Sequence, residues 1–273
     1  MDEQLSAIIR SLRQPNLFPL RKSEHNEMSQ MASYVIEAGG CLSRVFVSLS
    51  KRKAAPKALL IHGWGGNPFM LTPQKAILQQ LGFDIYLPFL SGHDLDYPTP
   101  CSVPDQIQLL LKLQQQMGEF DVVIAHSAGG VIAALAATQG FRLHQLILLA
   151  SPRSFPALLD YKLNEKMPLP GLRAALHDTF FRHYEAIPAL MSESLFSALD
   201  AHVLVLHGTA DCKIPCQDAE SIHLQLARSS MLLVDDTGHL GLLQHQATRQ
   251  AVSDCLRPWA LPIQGVTDDA WSH

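Results

Sequence analysis

The fold of this chain is decided by one stretch, Val122-Val123-Ile124-Ala125-His126-Ser127-Ala128-Gly129-Gly130-Val131-Ile132. Its first four residues form an uninterrupted apolar run, which is typical of a β-strand buried on both faces. The small and apolar residues that begin at Gly129 predict a helix as far as Gln139, where Gly140 ends it. The stretch therefore predicts a buried strand that turns abruptly into a helix at Ser127.

The same alternation of strand and helix continues on both sides of this stretch. Further apolar runs predict strands at 34–36, 45–47, 58–61, 83–87, 146–149, 203–206 and 231–234. Helical segments are predicted at 2–13, 72–81, 102–117, 219–227 and 243–255. Apolar strands that alternate with helices predict an α/β fold, with a mostly parallel central sheet and helices on both faces. Parallel strands place their carboxyl ends along one edge, where such sheets carry their sites.

Residues 152–199 interrupt this alternation. They are rich in proline and aromatic residues and contain no strand-like run. Because the segment leaves from a strand end, we expect a small helical lid over the site, with Phe180, Phe181 and Tyr184 in the substrate pocket. A surface excursion without a role in binding is the alternative. The predicted domain organisation is a core of residues 1–151 and 200–273, with the lid at 152–199.

The composition indicates a globular protein without nucleic-acid partners. Hydrophobic residues make up 47% of the 273, and the formal net charge is -4, whereas nucleic-acid binders usually carry a basic excess. The five cysteines are odd in number and scattered, so we expect a reducing compartment and no disulfide framework. Cys212 and Cys216 lack a second cysteine pair at zinc-site spacing, so no metal is expected.

The chain carries no feature that predicts export or membrane insertion. Its first residues, Met1-Asp2-Glu3-Gln4, are acidic, and no apolar signal-peptide region follows them. The longest apolar stretch, residues 122–137, is short and is interrupted by His126, Ser127 and two glycines. We therefore expect a cytoplasmic protein without a membrane span.

Four motifs at predicted strand ends carry the residues that point to a chemistry. Ala125-His126-Ser127-Ala128-Gly129 places a serine in a tight turn, and His62-Gly63-Trp64-Gly65-Gly66 follows an earlier strand. Asp211 and His239 follow the last two strands, and Pro215 lies four residues after the acid. Together they resemble the nucleophile elbow, the HG-x-G loop, the acid turn and the terminal histidine loop of the α/β-hydrolase superfamily. The resemblance extends from about residue 30 to about residue 257.

The resemblance implies an α/β-hydrolase fold with a Ser-His-Asp triad. Ser127 would be the nucleophile, His239 the general base, and Asp211 the acid that orients His239. The backbone N–H groups of Trp64 and Ala128 would form the oxyanion hole. No cofactor is required for this chemistry.

One position of the elbow departs from the family pattern. Ala125 replaces the usual first glycine, although alanine is small enough for the turn. By strand alternation, His126 is expected to point away from Ser127. After the preceding strand, Ala150-Ser151-Pro152 offers no carboxylate for an alternative acid. Other polar candidates are expected to be structural or loop-capping residues, namely His62, His93, His207, Asp235 and Asp236.

The function implied by the resemblance is hydrolysis of a carboxylic ester or thioester through an acyl-enzyme. The expected partner is a small-molecule substrate with a small to medium acyl group. Cleavage of a carbon–carbon bond, or cofactor-free perhydrolysis, is an alternative on the same scaffold. A ligand-binding protein that keeps the fold without turnover is a third reading. The sequence leaves the oligomeric state open.

Overall fold

Eight β-strands form one sheet within the part of the chain that the structure describes. The structure is a computed structural model, and it describes residues 6, 9, 10, 12–164, 174, 175, 178, 179 and 187–259. The strands are β1 Ala32–Ala38, β2 Cys41–Ser48, β3 Lys57–Ile61, β4 Asp84–Pro88, β5 Phe120–His126, β6 Leu143–Leu149, β7 His202–Gly208 and β8 Ser229–Val234. Their order across the sheet is β1-β2-β4-β3-β5-β6-β7-β8.

Most neighbouring strands of this sheet are parallel. Strand β2 pairs antiparallel with β1 and with β4, and strands β3 to β8 all run in one direction. The mostly parallel sheet predicted from the apolar runs is therefore confirmed. The carboxyl ends of β3, β5, β7 and β8 lie on one side of the sheet, which brings the loops after them together.

Seven helices have both of their ends within the described residues. They are α1 Lys22–Gln30, α2 Thr72–Gln80, α3 Val103–Met117, α4 Ala128–Ala137, α5 Phe155–Asn164, α6 Gln217–Gln225 and α7 Gln246–Leu256. Short 3₁₀ turns occur at Pro68–Leu71, Pro188–Met191, Leu195–Ala198, Gly241–Leu243 and Arg257–Trp259. Helix α3 has the predicted capping box, in which the Asp105 carboxylate accepts from the Ser102 N–H at 2.6 Å.

The core lies on both faces of the sheet. Leu59 of β3 packs in a cluster with Val131 of α4 and with residues of α3 and α6. Its neighbour Leu60 faces the opposite side, in a cluster with Leu78 of α2 and Val252 of α7. Because consecutive strand residues point to opposite faces, a strand covered by helices on both sides must be apolar throughout. This explains why the central strands are continuous apolar runs.

Helix α4 lies unusually close to the sheet. A Cβ atom at Gly129 would lie 2.8 Å from the Ile61 carbonyl oxygen, and one at Gly130 would lie 2.3 Å from Ser151 Oγ. Both distances are shorter than van der Waals contact, so only glycine fits at these two positions. The close approach holds the first turn of α4 at the carboxyl edge of the sheet.

Helix α1 lies outside every helix predicted from the sequence. Its only buried residue is Glu24, whose carboxylate accepts from the backbone N–H of Arg21 at 2.8 Å. Glu27 of the same helix forms an ion pair with Lys75 and accepts from the Thr72 hydroxyl at 2.8 Å. The helix is therefore docked mainly through polar contacts, with the single apolar residue Met28 packed against the core, so it has no apolar stripe at helical spacing.

The described part of residues 152–199 contains helix α5 and two 3₁₀ turns and has no strand. Phe180, Phe181 and Tyr184 lie outside the described residues, so their predicted place in the pocket stays a prediction. The division into a core and a lid also stays a prediction. Among the helices that the structure describes, none has the length and apolar character needed to cross a membrane.

Candidate active site

Four loops at the carboxyl edge of the sheet bring the predicted site residues together. Trp64 follows β3, Ser127 follows β5, Asp211 follows β7 and His239 follows β8. All except Asp211 line one cavity, and Asp211 lies behind His239. The edge of the sheet predicted to carry the site is the edge at which these residues meet.

Ser127 occupies a strained backbone position between β5 and α4. Its φ is +54° and its ψ is -127°, a combination that residues with a side chain rarely adopt. The backbone N–H of Ser127 donates to the Leu149 carbonyl at 2.9 Å, which ties the turn to strand β6. A Cβ atom at Gly63 would lie 2.9 Å from Ser127 Cβ, so glycine is required opposite the serine. The strained turn presents the hydroxyl to the cavity.

A chain of hydrogen bonds joins the serine to the acid through one imidazole. His239 Nε2 lies 3.1 Å from Ser127 Oγ, and His239 Nδ1 lies 2.7 Å from Asp211 Oδ2. A carboxylate only accepts, so Nδ1 carries the proton and Nε2 is left to accept from the serine hydroxyl. The side chain of Asp211 is fully buried and that of His239 is 10% exposed. The three predicted residues therefore have the geometry of a Ser-His-Asp triad.

The Asp211 carboxylate is held as an anion by several donors. Burial alone would raise its pKa, but hydrogen bonds from His207 and His239 outweigh burial and hold the pKa well below the usual range. The backbone N–H groups of Lys213 and Ile214 donate to Oδ1 at 2.8 and 3.0 Å. These donors fix both oxygens, so the carboxylate cannot rotate away from His239.

His207 was expected to be a packing residue, and it has a more specific place. Its Nε2 lies 3.3 Å from Asp211 Oδ2 and 3.0 Å from the Ile214 carbonyl oxygen. The side chain is fully buried at the end of β7. His207 thus connects the acid with the turn that holds the acid.

His126 also differs from its expectation. Alternation along β5 predicted that it would point away from Ser127, but it lines the same cavity. Its ring centroid lies 4.8 Å from that of His239. Burial, together with the neighbouring His239, lowers the pKa of His126 to about 3. A neutral ring therefore packs beside the imidazole of the triad, and its Nε2 has no hydrogen-bond partner.

The glycine-rich loop after β3 is fixed by His62, as the expected structural role requires. Its Nε2 accepts from the Leu90 N–H at 3.0 Å, and its Nδ1 donates to the Gly63 carbonyl at 2.8 Å. The contact with Leu90 needs the neutral ring, because Nε2 must accept, and burial lowers the pKa of His62 well below its usual value. The loop places Trp64 against His93, with the ring centroids 4.9 Å apart.

The predicted oxyanion-hole donors are the backbone N–H groups of Trp64 and Ala128. Both line the cavity beside Ser127. Ala128 is the first residue of α4, so its N–H has no acceptor within the helix. The partial positive charge of the helix N-terminus adds to the attraction for a developing anion.

The cavity has a volume of about 340 Å³. One of its walls is formed by residues outside the four motifs. That wall, which we call the N-terminal strap, consists of residues 12–18. The Phe18 N–H donates to the Gly65 carbonyl at 2.8 Å, and the Cys101 N–H donates to the Arg13 carbonyl at 2.8 Å. A Cβ atom at Gly65, where φ is +80°, would lie 2.6 Å from the Asn16 carbonyl oxygen. No sequence motif marks the strap, whose hydrogen bonds to Gly65 and Cys101 use backbone atoms.

Solved structures of known proteins share this fold at low sequence identity. Est1E from Butyrivibrio proteoclasticus superposes with a TM-score of 0.64 at 15% identity, over 83% of this chain and 98% of that chain. A membrane phospholipase A, a bacterial virulence factor, has a TM-score of 0.65 at 17% identity, over 94% and 90%. A meta-cleavage product hydrolase from Pseudomonas fluorescens has a TM-score of 0.57 at 15% identity, over 84% and 98%.

Sequence comparison gives the family. Comparison with curated proteins finds no match. The model of the Alpha/beta hydrolase family matches residues 58–251, a range that contains the elbow, the acid turn and the terminal histidine loop. With most of its length matched by this model, and with the strand order and site described above, the chain belongs to the alpha/beta hydrolase family.

Proposed function

We propose that the protein is a serine hydrolase that cleaves a carboxylic ester or thioester through an acyl-enzyme. The observation that carries the proposal is the position of His239, whose two ring nitrogens contact Ser127 and Asp211 at 3.1 and 2.7 Å. A serine hydroxyl is a weak nucleophile until a base accepts its proton. The orientation of His239 supplies that base, and the buried carboxylate stabilises the imidazolium that forms.

In this mechanism, Ser127 Oγ attacks the acyl carbonyl while its proton moves to His239 Nε2. The carbonyl oxygen gains negative charge and accepts hydrogen bonds from the N–H groups of Trp64 and Ala128, donors that are each typically worth about 10²–10³ in rate. His239 then protonates the leaving alcohol or thiol. A water molecule, activated by the same imidazole, releases the acid from Ser127.

The cavity supports an acyl group of small to medium size. Its volume of about 340 Å³ is at the lower end of the range for small-molecule sites. Phe155, Leu158 and Leu159 of α5 provide an apolar wall, which suits a hydrocarbon chain. We propose that α5 belongs to a lid formed by residues 152–199, which selects the substrate more than it affects the chemistry.

Similar structures support a carboxylesterase over other hydrolases. Est1E has been solved with bound ferulic acid, and another similar structure is a phospholipase A. The meta-cleavage product hydrolase is the observation that keeps a carbon–carbon hydrolase as the second candidate. That reaction would use the same Ser127 and His239 on a diketone-like substrate.

Kinetics on two substrate sets test the proposal. We expect the protein to hydrolyse p-nitrophenyl esters with acyl groups of two to eight carbons. The acyl length with the highest kcat/KM should be the one that fits the cavity. Ser127→Ala should abolish this activity, and Ser151→Ala, the serine at the end of the neighbouring strand, should retain it. Ester hydrolysis that persists in Ser127→Ala would refute the proposal. Turnover of vinylogous diketones without ester hydrolysis would favour the second candidate.

A further inference from the structure

The mouth of the cavity carries positive charge and no negative charge among the residues that the structure describes. Three basic residues line the cavity, namely Arg13, Lys162 and Lys213, and no described lining residue is aspartate or glutamate. The chain as a whole has more acidic than basic residues, 25 against 21. The charge at the mouth is therefore opposite in sign to that of the whole molecule.

Lys213 and Arg13 both lie beside the N-terminal strap or within it, and the ammonium of Lys213 has a defined contact there. Lys213 Nζ lies over the Phe18 ring, 5.4 Å from its centroid, which keeps the ammonium beside the N-terminal strap. The backbone of Arg13 is fixed by the hydrogen bond from the Cys101 N–H to its carbonyl. Both Arg13 and Lys213 are exposed residues that line the cavity.

Carboxylates close to the site are already engaged elsewhere. Asp211 is buried behind His239, and Asp105 accepts from the N–H and the hydroxyl of Ser102. Asp218 of α6 accepts hydrogen bonds from Arg153 and from the hydroxyl of Tyr161 in α5. None of these three carboxylates lines the cavity.

We propose that the preferred substrate is an ester that carries an anionic group a few bonds from the scissile carbonyl, with that group bound between Arg13 and Lys213. This inference rests on the proposed esterase function and names its substrate class. The apolar wall of α5 takes the hydrocarbon part, while the carboxylate or phosphate-like group stays at the partly hydrated mouth. A charge there costs little desolvation, and the two cations attract it as it approaches.

Two matched substrate pairs separate the acyl side from the alcohol side. The first pair is the p-nitrophenyl monoester of adipic acid against its methyl ester, which differ by one terminal charge. The second pair is the hexanoate ester of 3-carboxy-4-nitrophenol against that of 4-nitrophenol. We expect the natural chain to prefer the anionic member of at least one pair, measured as the ratio of kcat/KM values.

The variants Arg13→Met and Lys213→Met remove one charge each and keep most of the side-chain length. Each should lower the preference for the anionic member about fivefold, the size expected for one partly exposed ion pair. Lys53→Met, at an exposed position between β2 and β3, is the control and should leave the ratio unchanged. Raising the salt from 0.05 to 1 M should reduce the preference in the natural chain, because screening shortens the reach of the charges.

A binding measurement separates failure of this inference from failure of the proposed function. Calorimetry with Ser127→Ala should show that hexanoate binds more tightly than 1-hexanol, and that adding Lys213→Met removes most of the difference. Loss of all ester turnover together with this binding pattern would overturn the esterase function and leave the anion site intact. Substrate ratios and hexanoate binding that do not change in Arg13→Met or Lys213→Met would overturn the anion site.

Discussion

Asp211 is shared by two imidazoles, because His207 Nε2 lies 3.3 Å from the same Oδ2 atom that His239 Nδ1 contacts at 2.7 Å. The second imidazole is fully buried and also contacts the Ile214 carbonyl oxygen. The acid therefore has donors on every side, and its position does not depend on His239 alone. This arrangement keeps the carboxylate charged and aligned with His239.

Replacing the acid tests its role without a change of shape. We expect Asp211→Asn to lower kcat by at least about 10³, because an amide does not stabilise the imidazolium and can favour the wrong tautomer of His239. The measurement is steady-state ester hydrolysis, with thermal unfolding to verify that the variant folds. Asp235→Asn, in the exposed loop before His239, is the matched control and should keep full activity. Equal rates for the two variants would remove Asp211 from the mechanism.

The buried histidines predict how stability depends on pH. Burial lowers the pKa of His126 to about 3 and that of His93 to about 4, against an ordinary value near 6.5. Below about pH 6.5, the unfolded chain binds protons that the folded chain does not, so the free energy of unfolding falls as the pH falls towards those lowered values. Each such histidine contributes a slope of about 1.4 kcal/mol per pH unit.

We therefore expect His126→Gln to reduce the slope of unfolding free energy between pH 6 and 4 by about 1.4 kcal/mol per pH unit. Urea unfolding at several pH values measures it. His25→Gln is the control, because it removes an exposed histidine of α1. It should retain the slope of the natural chain. An unchanged slope in His126→Gln would mean that this ring is protonated in the folded protein.

Gly65 tests whether the N-terminal strap is part of the pocket. Gly65→Ala places a methyl group 2.6 Å from the Asn16 carbonyl oxygen and should displace the strap. Gly40→Ala has a similar positive φ, +75°, but meets no atom within 4 Å, so it isolates the backbone strain. We expect the free energy of unfolding of Gly65→Ala to be about 1–3 kcal/mol lower than that of Gly40→Ala, the usual cost of overpacking. It should also raise KM for esters, and equal KM values would argue against the strap as a wall.

The strained backbone at Ser127 predicts that a glycine variant is more stable than an alanine variant, the reverse of the order in an ordinary strand. Ser127 has φ +54° and ψ -127°, which glycine adopts more readily than alanine. Ser127→Gly should therefore be more stable than Ser127→Ala by about 1 kcal/mol. At Ser33, an exposed residue of β1, the order should be reversed, because glycine weakens an ordinary strand. Chemical denaturation of the four variants provides the comparison.

The fold was predictable because its central strands are buried on both faces. Leu59 packs against helices on one face of the sheet, and Leu60 packs against helices on the other. A continuous apolar run therefore indicates a buried parallel strand. The predicted fold class and family are confirmed. Helix α1 escaped prediction because Glu24 and Glu27 dock it through polar contacts, which leave no apolar period to detect.

The candidate site was predictable in part. Three motifs, each after its own strand, led us to expect Ser127, Asp211 and His239 together, and their side chains lie within hydrogen-bonding distance. Their catalytic roles stay predictions. The partners of His126 and His207 were not predictable, because alternation gives the face of a strand but not the contacts across loops. The strap was not predictable as a wall of the pocket, because its hydrogen bonds use backbone N–H and carbonyl groups that every sequence has.

Labelling with a fluorophosphonate tests the central claim most directly, because the probe reacts only with a serine that a base activates. The account predicts a single adduct, found by mass spectrometry of peptides on the one that contains Ser127. The adduct should be absent from Ser127→Ala and strongly reduced in His239→Ala. An adduct on another serine, or an adduct of equal yield in Ser127→Ala, would contradict the account.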